Sequence, residues 1–271
     1  MKLCRFQLLE FAAGDIARAP REIHSQVRHG IVAGDIIHEF SGELWGSRER
    51  TGQKWPVASV QFLPPSVPSK IVCVGKNYAD HAAEMGSPPP KNPILFLKPP
   101  SSVIAPEETI VLPRISERVD YEGEIAIIIG RRLRLFDPND NQDLRPYILG
   151  YTCFNDVTAR DLQKADGQWT RGKSFDTFCP FGPVLESDLD LADTRLETFV
   201  NGVRKQSASA SEMIFSVDAI IRWIAQVMTL EPGDVIATGT PAGIGTLADG
   251  DVVEVSVSGI GTLRNPVVAS A

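Results

Sequence analysis

Long apolar runs are missing from this chain of 271 residues, and so is any excess of positive charge. No stretch reaches the roughly 20 apolar residues that a membrane-spanning helix needs. Lys and Arg together number 27 against 34 Asp and Glu, a formal net charge of -7. That balance argues against a nucleic-acid or anionic-membrane surface, though it says nothing against a local positive pocket. Cysteine is scarce as well. Cys4, Cys73, Cys153 and Cys179 lie far apart, with no Cys-x-x-Cys pair and no zinc-ligand spacing. They read as reduced thiols of a cytosolic protein, Cys73 and Cys153 as core residues. The first residues, Met1 to Phe6, read as a strand and lack the charged-then-apolar layout of a signal peptide, so the expected location is the cytoplasm. The 43% hydrophobic and 23% charged content is that of an ordinary globular protein. Its length allows one large domain, or a small one plus a larger one.

The most informative stretch is 119–130, polar at its start and apolar at its end. On a strand Glu122 and Glu124 project from one face, with Asp120 two residues earlier. Like charges that close repel, and neither belongs unpaired in the core that the run 125–129 announces. Such a pair asks for a cation. Asp156, at the end of another expected strand (146–157), supplies a third carboxylate. Three carboxylates without Cys or repeated His ligands suit a hard cation, Mg²⁺, Mn²⁺ or Ca²⁺, rather than Zn²⁺. On an octahedral ion they leave three positions, two of which a 2-oxo acid fills with its carboxylate and keto oxygens. The plain alternative is a solvated strand end.

Elsewhere the chain reads as strands punctuated by glycine and proline. Residues 1–62 are weakly patterned, with a short helix expected at 20–28. The Pro- and Ser-rich stretch 62–69 reads as a linker, or as a loop within one domain. A strand at 70–75 precedes a short helix at 76–85 with Asn77 at its cap position. Set between a glycine and a proline run, that helix is a candidate mobile lid. His81 and Glu84 share its face as a candidate base pair, or as an exposed polar face. A helix at 158–165 places Arg160 and Gln163 together, as partners for a ligand carboxylate or as solvated residues. Lys173 sits in an irregular aromatic stretch, 171–183, as a candidate partner for an oxyanion or as a surface lysine. Asn201-Gly202 between 196–200 and 203–207 signals a hairpin. Residues 215–228 carry the clearest helical periodicity. The stretch 238–245 lacks the Gly-Lys-Ser/Thr ending of a phosphate loop and reads as a backbone nest for a carboxylate, with Thr240 donating. Few helices among many strands predict a β-dominated α+β fold.

Six motifs come in one order: Lys70-Ile-Val-Cys-Val-Gly-Lys-Asn-Tyr-Ala-Asp-His, Phe96-Leu-Lys-Pro-Pro, Tyr121-Glu-Gly-Glu, Asn155-Asp-Val-Thr-Ala-Arg-Asp, Gly167-Gln-Trp-Thr-Arg-Gly-Lys-Ser-Phe-Asp-Thr-Phe and Gly239-Thr-Pro-Ala-Gly-Ile-Gly. Together they resemble the fumarylacetoacetate hydrolase family across 70–271, in its short bacterial branch. The resemblance implies a mixed β-roll catalytic domain at 67–271 behind a small N-terminal domain at 1–66, assembled as a homodimer. It implies metal ligands at Glu122, Glu124 and Asp156, a lid dyad at His81 and Glu84, and an active-site lysine at Lys173. Substrate contacts fall on Arg160, Gln163 and Thr240, and Asp120 receives no role. Longer eukaryotic members take a further acidic ligand from an earlier segment; no equivalent stands here, which speaks against fumarylacetoacetate as substrate. The branch contains acylpyruvate hydrolases, oxaloacetate decarboxylases and the isomerase/decarboxylases acting on 2-hydroxyhepta-2,4-diene-1,7-dioate. Their reactions share a pyruvate-type enolate, which a chelated Mg²⁺ or Mn²⁺ stabilises. The expected activity is therefore metal-dependent C–C cleavage in a 2-oxo acid, acylpyruvate hydrolysis first. A non-catalytic 2-oxo-acid binder is the alternative of another class.

Overall fold

Alternating and fully apolar runs both become strands, and the difference between them locates the core. The computed structural model describes residues 1–9, 26–135, 137 and 139–270. In chain order the first strands are β1 (Lys2–Leu8), β2 (Arg28–Ala33), β3 (Ile36–Ser41), β4 (Glu49–Pro56) and β5 (Val60–Leu63). Strand β6 (Ile71–Gly75) leads through helix α1 (Ala79–Glu84) to β7 (Ile94–Lys98), followed by β8 (Val103–Ile104) and β9 (Ile110–Leu112). Next come β10 (Val119–Tyr121), β11 (Gly123–Ile129), β12 (Ile148–Asn155) and β13 (Thr158–Ala159). Helices α2 (Arg160–Asp166) and α3 (Thr170–Lys173) precede β14 (Cys179–Glu186) and the hairpin β15 (Arg195–Val200) and β16 (Val203–Ser209). Helix α4 (Val217–Val227) is followed by β17 (Val235–Ala237), β18 (Gly245–Thr246), β19 (Val252–Val257) and β20 (Gly261–Ala269).

The β-dominated expectation holds. A twelve-stranded sheet runs β4-β3-β2-β1-β14-β12-β11-β17-β6-β7, with β5 on β1 and β8 on β14. A five-stranded sheet runs β16-β15-β19-β20-β9, and a small one runs β13-β10-β18. Pairing is mixed: β17–β6, β14–β8 and β20–β9 are parallel, their neighbours antiparallel. Strand β11 lies between β12 and β17, and every residue of it is buried. Ile125, Ile127 and Ile129 join Leu196, Val255 and Leu263 and the Ile220, Ile221 and Ile224 stripe of α4. Ala126 and Ile128 face the other way, among Ile71, Cys73, Phe154 and Val235. A strand covered on both faces needs an unbroken apolar run, and 125–129 is one.

Two helix expectations shift at their starts, and the 62–69 stretch takes the loop form. The 62–69 stretch is strapped down: the buried Ser66 hydroxyl donates to the Gly233 carbonyl at 2.8 Å, and Ser69 donates twice to Asp234. The expected boundary at 66/67 thus falls in a packed connection. Ahead of it β1 pairs with β14 (Lys2↔Glu186, Leu3↔Leu185), so the N-terminal strands continue the main sheet. The helix expected at 20–28 lies mostly outside the described residues, and its last residue, Arg28, begins β2. The helix expected at 76–85 begins only at Ala79, after Tyr78, and no side chain caps it. Asn77 is instead buried, its amide donating to the carbonyls of Thr238 (2.7 Å) and Phe215 (3.2 Å) and accepting from Phe215 N. It staples the start of the lid segment to two core loops. The helix expected at 158–165 begins as β13 and turns helical at Arg160. The hairpin is as expected, with Asn201 and Gly202 both at positive φ (51° and 75°). So is α4, whose Ser216 side chain accepts from Ala219 N.

Gly123 opens β11 where no side chain fits. A Cβ there would lie 2.1 Å from Thr198 Oγ1 of β15 and 3.2 Å from Gln206 Oε1 of β16. Gly123→Ala is expected to cost about 1–3 kcal/mol of overpacking. Urea titration of the variant should show a lowered midpoint with an unchanged slope; an unaltered midpoint would mean the two sheets do not approach this closely.

Candidate active site

The acids converge because a strand is interrupted. Glu122 falls in the gap between β10 and β11, where its N–H bonds the Asn155 side chain (3.0 Å) and its carbonyl accepts from Asp156 N (2.8 Å). Gly123 is in register with Asn155 and Glu124 with Phe154. Asp156 comes directly after the end of β12 and so meets the two glutamates. One oxygen from each of the three lies within 4.8 Å of the others, and all three residues are 4% exposed or less.

Three buried cations answer them. Lys98, the last residue of β7, donates to Asp156 Oδ1 (2.7 Å) and to the Val157 carbonyl (3.1 Å). Lys173 donates to Asp156 Oδ2 (2.5 Å) and Glu122 Oε2 (2.7 Å), its ammonium 4.9 Å from the Phe96 ring centroid. Arg160 spends its fork on Glu122 Oε1, Asp120 Oδ2 (2.9 Å) and Gln163 Oε1 (2.6 Å). For Glu122, Arg160 and Lys173 burial opposes the charge and the partners outweigh it. Burial pushes the Glu122 carboxyl up, but the Lys173 and Arg160 charges hold it well below the usual range. Burial pushes Lys173 down, but Asp156 and Glu122 carry it above its ordinary value. Glu124 differs. Among the described residues its recorded partner is the Gly239 N–H (2.7 Å), with no cation. Burial, then Asp156 and Glu122, drive its carboxyl well above the usual range.

This donor set fits a hard divalent cation. Asp120, Glu122 and Asp156 each have cationic partners, Asp120 taking Arg118 (2.9 Å) as well as Arg160, and Glu124 has none among the described residues. All the candidate donors are carboxylate oxygens.

His81 is 5% exposed and lines the same cavity, of about 30 Å³, as the three acids, Arg160, Lys173 and Thr240. Its Nδ1 lies 3.1 Å from Glu84 Oε2, and Glu84 Oε1 accepts from Gly243 N at 3.1 Å. The two residues expected as a base pair are thus in contact.

Other expected contacts are spent inside the protein. Arg160 and Gln163 bind each other, and Arg160 also binds Glu122, so the pair braces a carboxylate of the triad where a ligand carboxylate was expected. Lys173 belongs to the one-turn helix α3 and bridges two acids. Thr240 donates to the Gly123 carbonyl (2.8 Å) and accepts from Gln206 (2.8 Å). In the stretch 238–245 the Gly239 N–H donates to Glu124 (2.7 Å) and the Gly243 N–H to Glu84 (3.1 Å). The residue-by-residue reading missed Lys98, Asp120 as the anchor of Arg160, and Gln206. A lysine ending an apolar strand before two prolines was the available signal for Lys98; nothing local marks Gln206.

Comparison with known proteins decides the family. A family model described as fumarylacetoacetate (FAA) hydrolase C-terminal matches residues 70–268. The chain belongs to the fumarylacetoacetate hydrolase family. A second model, Rv2993c-like N-terminal, matches residues 1–65. The chain is 52% identical to Protein Rv2993c of Mycobacterium tuberculosis over 85% of its length and 87% of that protein. It is 41% identical to the mitochondrial oxaloacetate tautomerase Fahd2a of Rattus norvegicus, over 79% of this chain and 71% of that one. Among solved structures, a 2-hydroxyhepta-2,4-diene-1,7-dioate isomerase from Mycobacterium marinum superposes with TM-score 0.86 and 43% identity, covering 100% of this chain and 99% of the other. Among the described residues no helix is long and apolar enough to cross a membrane.

Glu124 yields a prediction with a defined sign. Its folded pKa is raised, so the folded chain binds this proton more tightly than the unfolded chain. The stability of the metal-free protein therefore falls as pH rises from the ordinary carboxyl value of 4.5 toward that raised pKa. Metal-free Glu124→Gln is expected to melt at or above the wild-type temperature near pH 8 and to lose the stabilisation that added Mg²⁺ or Mn²⁺ gives wild type. Thermal melts with and without metal check both parts; retained metal stabilisation would remove Glu124 from the ligand set.

Proposed function

We propose that this family enzyme is divalent-metal-dependent and cleaves the C3–C4 bond of an acylpyruvate-type 2,4-dioxo acid with water. The observation that carries the reading is the one cavity lined by both the buried acid triad and His81, with Glu84 on the far nitrogen of the imidazole. When bound, Mg²⁺ or Mn²⁺ supplies Lewis acidity toward the C1 carboxylate and C2 oxygen of the substrate. The chain's own residues do the rest. Glu84 accepts from His81 Nδ1–H and leaves Nε2 basic. Nε2 takes a proton from water as its oxygen adds to C4. The C3–C4 bond breaks toward C2, and the proton passes to C3, giving pyruvate and a carboxylic acid. Lys173 supports the oxyanion, while Lys98 and Arg160 hold Asp156 and Glu122 in place. A role for Arg160, Gln163 and Thr240 in binding substrate requires their present hydrogen bonds to be exchanged.

A second reading is a proton transfer without bond cleavage, in which the same base moves a proton at C3. The names of the rat tautomerase and the mycobacterial isomerase favour it. Decarboxylation of oxaloacetate uses the same enolate. The intact His81–Glu84 pair weighs against a non-catalytic binder. The reading extends to a homodimer, supported by the exposed Ile94 and Leu97 on edge strand β7; light scattering tests it.

One panel separates the chemistries: acetylpyruvate, fumarylpyruvate, oxaloacetate and 2-hydroxyhepta-2,4-diene-1,7-dioate, each with Mg²⁺, Mn²⁺ or a chelator. Hydrolysis of an acylpyruvate that stops on chelation is expected. His81→Asn and Glu84→Gln should each lower turnover about 10²-fold or more and leave metal affinity intact. Full activity after exhaustive chelation, or in Glu84→Gln, would overturn the assignment.

A further inference from the structure

The cavity wall holds one cation that the acid cluster does not use. Lys76 lines the cavity beside Gly75, Met85 and Trp169. Arg160 and Lys173, the other lining cations, are each tied to buried carboxylates. Among the described residues the partner recorded for the Lys76 ammonium is a neutral one, the Ser87 hydroxyl at 2.9 Å. Its backbone is also unusual. Lys76 has φ of 57°, in the left-handed region that a non-glycine residue occupies at a cost. The flanking bonds hold it there: Gly75 ends a fully buried strand, and Asn77 is fastened to the Thr238 and Phe215 carbonyls. A glycine would fill that backbone position without strain. A lysine there carries a conformational cost at a position that lines the cavity.

The cavity's chemistry is graded. Carboxylates for the cation form its floor. Phe96, Trp169 and Met85 supply apolar wall, with the Phe96 and Trp169 rings edge to face at 5.2 Å. Lys76 stands at the entry to the lid. A 2-oxo acid anchored by its C1 carboxylate and C2 oxygen would lay its carbon chain along the apolar wall and bring its far end toward Lys76.

We propose that Lys76 is a specificity-determining residue that takes the distal carboxylate of a dicarboxylate substrate, exchanging its Ser87 hydroxyl contact for a charge-assisted one. The inference rests on the 2-oxo-acid reading above and adds to it the second anionic end of the substrate. Lys76 and Ser87 flank α1 at its two ends.

A merely structural latch between Lys76 and Ser87 predicts something different. Its loss would weaken every substrate alike, whereas a carboxylate clamp discriminates by substrate. The test compares wild type, Lys76→Met and Lys76→Arg on fumarylpyruvate and oxaloacetate, which carry a distal carboxylate, and on acetylpyruvate, which does not. Lys76→Met is expected to lose about 10-fold or more in kcat/KM on the dicarboxylates, mostly in KM, about one charge-assisted contact. It should stay within about 2-fold of wild type on acetylpyruvate, and Lys76→Arg should recover most of the loss. A binding readout free of turnover accompanies this: with Mg²⁺, 2-oxoglutarate should outbind its isostere 2-oxopentanoate on wild type and lose that preference in Lys76→Met. Equal losses on all substrates would make Lys76 a latch and overturn the proposal; so would a preference unaltered in Lys76→Met. Failure of wild type to turn over any 2-oxo acid, or indifference to chelation, would strike at the underlying reading first and take this inference with it.

Discussion

Mutual repulsion among Glu122, Glu124 and Asp156 is the constraint on which the rest depends. Three carboxylate oxygens within 4.8 Å of one another, on residues at most 4% exposed, would not be tolerated without compensation. The fold supplies most of it through Lys98, Lys173 and Arg160, each of which holds a particular oxygen. The compensation is uneven. Glu122 and Asp156 are over-provided with donors, and Glu124 has, among the described residues, a backbone N–H. That unevenness matters for function. Pinned carboxylates are held by the protein itself, and Glu124, the one without a cationic partner among the described residues, is the group a bound cation would complement. A cluster neutralised in full by lysines and arginines would be a structural salt-bridge network.

The backbone between the two glutamates is fastened by a hydrogen-bonded ring that joins three segments. Gln206 on β16 accepts from Gly123 N (3.0 Å) and donates to Thr240 Oγ1 (2.8 Å) and the Pro241 carbonyl (2.9 Å), while Thr240 returns to the Gly123 carbonyl. Through it the five-stranded sheet touches the backbone between the two glutamates. Gly123 has no side chain because Thr198 and Gln206 already occupy that space. The same logic holds at Gly75, where a Cβ would fall 2.6 Å from the Trp169 ring. The site is thus cut into the seam between sheets, and its dimensions derive from the inter-sheet contact.

Much of this was legible in the sequence where the signal is local. Alternation of Glu122 and Glu124 before an unbroken apolar run gave the paired acids, Asn201-Gly202 gave the hairpin, and the stripe at Ile220, Ile221 and Ile224 gave α4. The order of motifs carried the family. The role of a single residue was not legible once its neighbours come from elsewhere in the chain. Arg160 and Gln163 share a helix face, as their spacing says, but Asp120 and Glu122 claim the guanidinium first, and those contacts span about forty positions. Asn77 looks like a cap because an alanine-rich helical run stands just after it in the chain; the carbonyls that claim it belong to residues 215 and 238. Gln206 sits in an ordinary exposed-then-buried strand, and only the roll of one sheet onto another makes it a bracket for the site.

Relatives of this chain carry the names of different reactions, a tautomerase and an isomerase among them, so the acid floor by itself does not name the reaction. The floor here is rigid for physical reasons: it lies between fully buried strands, and nearly every polar atom in it is partnered. The lid is built otherwise. Helix α1 has six residues, too few to be stable alone, no side-chain cap, and a positive-φ residue on either side, Lys76 and Gly86. His81 of this helix lines the cavity, about 30 Å³, together with the three acids. His81 rides on the helix, whereas Lys76 stands before it, between the buried β6 and the fastened Asn77. In the proposed scheme the base moves with the lid, while the cation proposed to meet the far end of the substrate stays with the wall. Selectivity through Lys76 and proton transfer through His81 are then separable in that scheme, one set by the wall and the other by the lid.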